Sequence, residues 1–226
     1  MVEGCDASVF IASNSFNTAE RDADVNLSLS GDGYEVVVRA KTTLELTCPK
    51  VVSCADILAV ATRDLVTMVG GPYYKIRLGR KDGLVSKASR VEGNLPSEFS
   101  DRLYSYSKKH ATDPELNSKF AAGLRNICAN HTTDKTMSAF NDVFTPGKFD
   151  NMYFKNLPRG LGLLAYDHAL VKDPRTKPFV ELYATNQTVF FQDFSRAMQK
   201  LSIHGIKTAK NGEVRNRCDQ FNSIQT

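Results

Sequence analysis

Apolar positions along this chain fall into helical stripes separated by short polar turns. Ile57, Leu58, Ala61, Leu65 and Met68 recur at helical spacing between Ser53 and Val69, and Gly70-Gly71-Pro72 ends the run. Ser53 stands in the capping position and Asp56 three residues on completes a variant capping box, so a buried core helix is predicted over 53–69. A second stripe, with Tyr34, Val37, Val38 and Leu44 inward and Arg39, Lys41 and Glu45 outward, predicts a helix over 32–46 that Cys48-Pro49 ends. Asp113-Pro114 supplies a cap and a first-turn proline for a helix that buries Leu116, Phe120, Leu124 and Ile127. The last long helix, opened by Asn186 or Thr188, buries Phe190, Phe191, Phe194, Met198 and Leu201, and Gly205 closes it. Tyr74, Ile76 and Leu78 alternate with Lys75 and Arg77, a run short enough to predict a small hairpin or extended loop and no sheet. The pattern is that of a mainly α chain with a minor β hairpin.

Composition narrows the picture. At 226 residues, with no Pro/Gly/Ser-rich linker, residues 1–226 read as a single domain. The net charge is +4 with the positive residues scattered, which argues against a nucleic-acid surface. No apolar run approaches the ~20 residues that a membrane span needs. Five cysteines are an odd number, and Cys48 and Cys54 lack the CxxC or HxxxH company of a zinc site. Asn26-Leu-Ser, Asn130-His-Thr and Asn186-Gln-Thr are three glycosylation sequons, consistent with a secretory route. Yet Met1-Val2-Glu3-Gly4-Cys5 has no basic n-region and no apolar h-region, so the expectation is a secretory type of sequence without its signal peptide.

Two stretches carry oxygen-rich chemistry. Val2, Gly4, Asp6, Ser8 and Glu20 combine carboxylates, a hydroxyl and backbone carbonyls near one tight turn, the donors a hard cation such as calcium prefers; a solvated Asp/Ser turn is the alternative. Asp142, Thr145 and Asp150, around Pro146-Gly147, bring two carboxylates and a hydroxyl within nine residues. His168, beside Asp167, reads as a surface histidine, and His110, His131 and His204 lie in polar segments or at a helix end with no role assigned.

Several ordered blocks then carry a resemblance. Gly4-Cys5-Asp6-Ala7-Ser8, Val52-Ser53-Cys54-Ala55-Asp56-Ile57-Leu58, Gly70-Gly71-Pro72, Leu78-Gly79-Arg80-Lys81-Asp82-Gly83, Asn94-Leu95-Pro96, Phe149-Asp150-Asn151 with Tyr153, and Gly212-Glu213-Val214-Arg215 before Cys218 resemble the secretory plant (class III) haem peroxidases. The resemblance implies a haem-peroxidase-like helical fold, haem b and calcium as cofactors, and one-electron oxidation of small phenolic donors by hydrogen peroxide, with roles in peroxide removal and oxidative stress. It also implies a secreted monomer. By the same resemblance Val2, Gly4, Asp6, Ser8 and Glu20 belong to the distal calcium site, and Asp142, Thr145 and Asp150 to the proximal one. Asn26 corresponds to the asparagine that holds the distal histidine, and Asp167 to the aspartate that accepts the proton of the proximal imidazole. The resemblance likewise implies that Pro96 corresponds to a proline at the edge of the substrate channel, a turn proline being the alternative, that Asp56 and Arg80 form a buried ion pair, and that Cys54 and Cys218 form a disulfide. The family partners of Cys5, Cys48 and Cys128 would lie in missing segments.

The resemblance also has gaps. After Pro96 it jumps past the segment that holds the iron-binding histidine, and at Met1 it resumes beyond the distal helix with its catalytic histidine and arginine. The expectation is therefore an incomplete fold with no catalytic residue assigned and an impaired peroxidase reaction. The alternative is a non-catalytic, truncated peroxidase-like protein that binds calcium or another partner.

Overall fold

Val37 and the half-buried Tyr34 and Val38 carry the inner face of α1 (Gly31–Thr47) in the computed structural model, which describes residues 4–29, 31–91 and 99–223. Tyr34 meets Phe10 edge-on, with ring centroids 5.6 Å apart. Lys41 departs from expectation: it is fully buried, and its Nζ donates to the Val52 carbonyl and to Glu45 Oε2, both at 2.6 Å. Position 41 lies one turn beyond Val37 on the same stripe, so the helical period carries the lysine inward and its ammonium is satisfied there.

The next helix, α2 (Cys54–Met68), begins where Ser53 Oγ accepts the N–H of Asp56 at 3.1 Å. It ends at Gly70, whose φ of 96° is left-handed backbone that a glycine adopts without strain, and Gly71 N–H returns to the Val66 carbonyl. Only the first turn of α2 is buried. Ala61 is exposed, Leu65 is 61% exposed and Met68 83%, against the fully inward stripe expected. The core of Ala7, Phe10, Val37, Cys54, Ala55 and Cys218 reaches along the helix only to Ile57 and Leu58. Asp56 also differs from the capping box expected, because its carboxylate turns away to the 79–80 loop.

That loop follows an extended stretch in which Tyr74 is buried and Leu78 exposed. Pairing here consists of two isolated antiparallel bridges, Lys81 with Lys207 and Asp82 with Glu213, so the segment pairs with the tail of the chain instead of forming a hairpin with itself. These elements make up one compact unit, residues 1–65, 73–96 and 195–226.

Residues 66–72 and 97–194 form the second unit. Its core joins α3 (Ser100–Tyr104) and α4 (Ser118–Ile127) through Leu103, Leu116, Phe120, Ala121, Leu124, Leu161 and Leu163. Helix α4 starts four residues later than the Asp113-Pro114 signal predicts. Asn117 Oδ1 caps it by accepting the N–H groups of Lys119 and Phe120, while the Asp113 carboxylate is taken by the buried Arg102 at 2.9 Å. Ile127, expected inside, is 56% exposed at the last turn. Then come α5 (Met152–Asn156), α6 (Ala165–Lys172), α7 (Lys177–Thr185) and α8 (Gln187–Leu201). Phe149 packs against Phe190, Phe191 and Phe194, and Phe154 against Tyr183 and Phe190. No described side chain of α8 is fully buried, and Leu201 is 39% exposed.

Candidate functional site

Asp56 and Arg80 meet where the start of α2 faces the loop at 79–80. Asp56 Oδ2 accepts the Gly79 N–H at 2.6 Å, and Oδ1 accepts Arg80 Nη1 at 2.9 Å. The guanidinium also donates Nε and Nη2 to the Ser202 carbonyl at 3.0 and 2.7 Å. Both charges are nearly fully buried, and each has several hydrogen bonds, the condition under which a buried pair persists.

Beside it lies a second buried pair to which the sequence reading assigned no role. Asp82 Oδ1 accepts the Ala55 N–H at 2.8 Å and Oδ2 the Arg215 N–H at 2.9 Å. The Arg215 side chain donates to the carbonyls of Cys218, Asp6 and Ala7 at 2.7, 3.1 and 2.8 Å. Its Nε stands 3.9 Å from Asp82 Oδ2 and makes no hydrogen bond, so the attraction between the two is Coulombic. Burial pushes the Asp82 carboxyl above its ordinary value and the Arg215 guanidinium below its own. Cys54 and Cys218 are joined in a disulfide within the same cluster, with Cα atoms 5.7 Å apart. Asp82 lies in the Leu78–Gly83 stretch and Arg215 in Gly212–Arg215, and no local pattern in either pairs the two.

The N-terminal loop brings Asp6, Ser8 and Glu20 together. Asp6 Oδ1 accepts the Ser8 N–H at 3.2 Å, and Ser8 Oγ donates to Glu20 Oε2 at 2.7 Å. A Cβ on Gly4 would run into the Gly205 carbonyl, so no side chain would fit there. Asn26 donates Nδ2 to the Glu20 carbonyl at 2.7 Å. Val2 and Pro96 lie outside the described residues.

In the second unit Thr145 Oγ1 stands between two carboxylates, 2.8 Å from Asp142 Oδ2 and 3.2 Å from Asp150 Oδ1. Asp142 Oδ1 accepts the N–H groups of Phe144 and Thr145 and the Asn156 amide at 2.9 Å. Asn156 was not anticipated; it is fully buried, and its Oδ1 has no partner. Among the described residues no group of three or more His, Cys, Asp or Glu side chains is arranged to hold a metal ion.

Asp167 is buried with both oxygens engaged. Oδ1 accepts the Tyr153 hydroxyl at 2.6 Å, and Oδ2 accepts the Leu164 N–H at 2.8 Å to cap α6. Burial and this hydrogen bond to a carboxylate push the Tyr153 hydroxyl far above its ordinary value, so it remains a donor. The histidines are placed elsewhere. His168 Nε2 is 2.9 Å from Glu115 Oε2, whose other oxygen pairs with Lys172. His131 stacks on Tyr104 with ring centroids 4.8 Å apart, and His110 and His204 are exposed.

This helical chain belongs to the peroxidase family, whose family model matches residues 1–101 and 97–186. Its relatives are plant proteins. It is 57% identical to Peroxidase 65 of Arabidopsis thaliana over 260 positions, covering 99% of this chain and 77% of the relative. Peroxidase 41 of the same plant is also 57% identical, over 99% and 78% of the two chains, and Peroxidase 63 is 52% identical over 97% and 76%. An alignment of 260 positions against 226 residues leaves at least 34 positions of Peroxidase 65 with no residue here. Among the described residues no helix is long and apolar enough to cross a membrane.

Proposed function

We propose that this chain is a peroxidase-family protein without effective peroxidase turnover, and that it keeps a weak calcium loop of the fold. The observation that carries the reading is Asp167. The resemblance gives that carboxylate the proton of an iron-bound imidazole, but here its donors are the Tyr153 hydroxyl and the Leu164 N–H, and no histidine among the described residues donates to it. Two findings support the absence of the segment that would supply the imidazole. The two family matches meet at residues 97–101, and Peroxidase 65 has at least 34 aligned positions without a counterpart in this chain. None of the four histidines lies against Asp167 to take over the ligand role; His168 Nε2 lies 2.9 Å from Glu115 Oε2 instead. The residues present therefore do not fit haem, and no chemical step is assigned to it.

The family's substrate class, hydrogen peroxide with a phenolic electron donor, supplies the assay. Refolded chain mixed with hemin turns over within about tenfold of hemin alone, because a positioned acid/base by itself typically contributes ~10²–10⁴. An excess of several orders of magnitude over hemin overturns the reading. If His168→Ala then abolishes that excess, His168 is the ligand.

The 142–150 loop suits a hard cation in kind. Its donors are all oxygens gathered at one hydroxyl, and beside them the buried Asn156 Oδ1 lacks a donor. Asp142, Thr145 and Asp150 would hold calcium, which would supply rigidity to the loop. Because Asp142 already accepts several internal hydrogen bonds, the expected affinity is low, with a Kd of about 10⁻⁴–10⁻³ M, the range of weak modules. Calorimetry checks this, and tight binding that survives Asp150→Ala refutes the assignment. The sequons, together with the relatives' family, support export to an oxidising compartment, which also suits the Cys54–Cys218 disulfide.

A further inference from the structure

We infer that Asn130 is an N-glycan acceptor of this chain and that the sequon at Asn26 is not. The inference rests on the reading that the protein is exported. Sequence alone treats the three sequons alike, but the fold separates them.

Transfer forms a bond between the asparagine Nδ2 and the anomeric carbon of a lipid-linked oligosaccharide. The lipid diphosphate leaves, and the amide nitrogen loses one proton. The acceptor nitrogen must therefore be uncommitted, and the hydroxyl two residues on must be reachable.

Asn130 meets both conditions. It lies in the turn after α4, exposed, and the turn is built from its backbone: its carbonyl accepts the N–H groups of Thr133 and Asp134 at 3.0 and 2.9 Å. Its carboxamide makes no hydrogen bond among the described residues, and neither does the hydroxyl of the exposed Thr132. The residue between them is the one tied down. His131 stacks on Tyr104 with its ring nearly parallel, at 2°, and its Nδ1 lies 3.1 Å from the Cys128 carbonyl. The turn is thus fixed by its carbonyl and its middle side chain, which leaves both reacting groups of the sequon in solvent.

Asn26 fails the first condition, although Ser28 two residues on is exposed. Asn26 itself is half-buried, and the Nδ2 that would be modified donates to the Glu20 carbonyl at 2.7 Å, within the loop where Glu20 also accepts Ser8. A sugar on that atom would be directed at backbone. Asn186 is exposed, but its carboxamide caps α8 by accepting the Val189 N–H at 3.1 Å, which draws its sequon into the first helical turn.

The test uses the full chain behind a cleavable export signal in a eukaryotic secretory host, with protease protection to establish entry into the lumen. Release of N-glycans in heavy-oxygen water converts each modified asparagine to a labelled aspartate, which peptide mass spectrometry locates. Label at Asn130 with none at Asn26 is expected. Asn130→Gln and Thr132→Ala should each remove one glycan's mass on a gel, while Thr132→Ser retains it. A chain that entered the lumen but is bare at Asn130, or is labelled at Asn26, overturns the assignment. Because the appended signal supplies export, either result leaves the question of natural export untouched.

Discussion

Replacing Cys54 and Cys218 together by serine lowers the free energy of unfolding by about 5 kcal/mol in the chain-entropy account of cross-links. The bond joins residues 164 apart, so in the unfolded chain it closes most of the molecule into one loop, and its removal returns that entropy. Both sulfurs lie in fully buried residues of the core that holds Ala7, Phe10, Val37 and Ala55, so the substitution also removes buried apolar surface. Urea unfolding followed by circular dichroism measures the loss as a lower midpoint; the same shift on adding reductant to the parent chain separates the cross-link from the change of side chain. A midpoint unmoved by either treatment would mean that this core holds without its cross-link.

Asp82→Ala is expected to destabilise by about 3 kcal/mol or more, since it leaves the Arg215 guanidinium buried without its counter-charge and the Ala55 N–H without an acceptor. A loss below ~1 kcal/mol would show that the carbonyls of Asp6, Ala7 and Cys218 satisfy the arginine by themselves. The same carboxylate sets a pH dependence. Burial raises its folded value above the unfolded one, so the native state binds this proton more tightly than the unfolded chain does. Its contribution is complete below the unfolded value near ~3.9 and is lost as pH rises through the raised folded value. Relative to Asp82→Asn, the parent chain should lose stability as pH rises from the unfolded value through the raised folded one; a parent that gains stability there would contradict the sign.

How far the sequence could be read depends on how local each cause is. The start of α2 was legible because Ser53 and its partner N–H are three residues apart, and its end because Gly70 must take a left-handed φ. Lys41 was misread because polarity was allowed to outvote the period, although the stripe through Val37 carried it inward. Asn117 was missed as a cap because Asp113 offers a similar signal, and only the fold reveals that Arg102 claims that carboxylate. The exposure of Leu65 and Met68 could not be read, since periodicity marks a face without saying what covers it. The pairs Asp56–Arg80 and Cys54–Cys218 were reached through resemblance, not through local pattern. Asp82–Arg215 and Tyr153–Asp167 depend on side chains brought together across 133 and 14 residues, and nothing local announces them.

Arg215 holds the carbonyls of Asp6 and Ala7 across 209 and 208 residues of chain, which sets an order in time. At ~5–20 residues per second of synthesis, the loop around Asp6 waits roughly 10–40 s after it is made before the arginine that fastens it exists. During that interval Phe10, Cys54 and the first turn of α2 have no Cys218 to close on. The second unit, by contrast, has all of residues 97–194 in hand before the tail is translated. A nascent chain stalled after residue 194 should accordingly protect the amides of α4 from exchange while those near Asp6 remain open, which makes the ends of the chain the last part to fold and the part most dependent on chaperones.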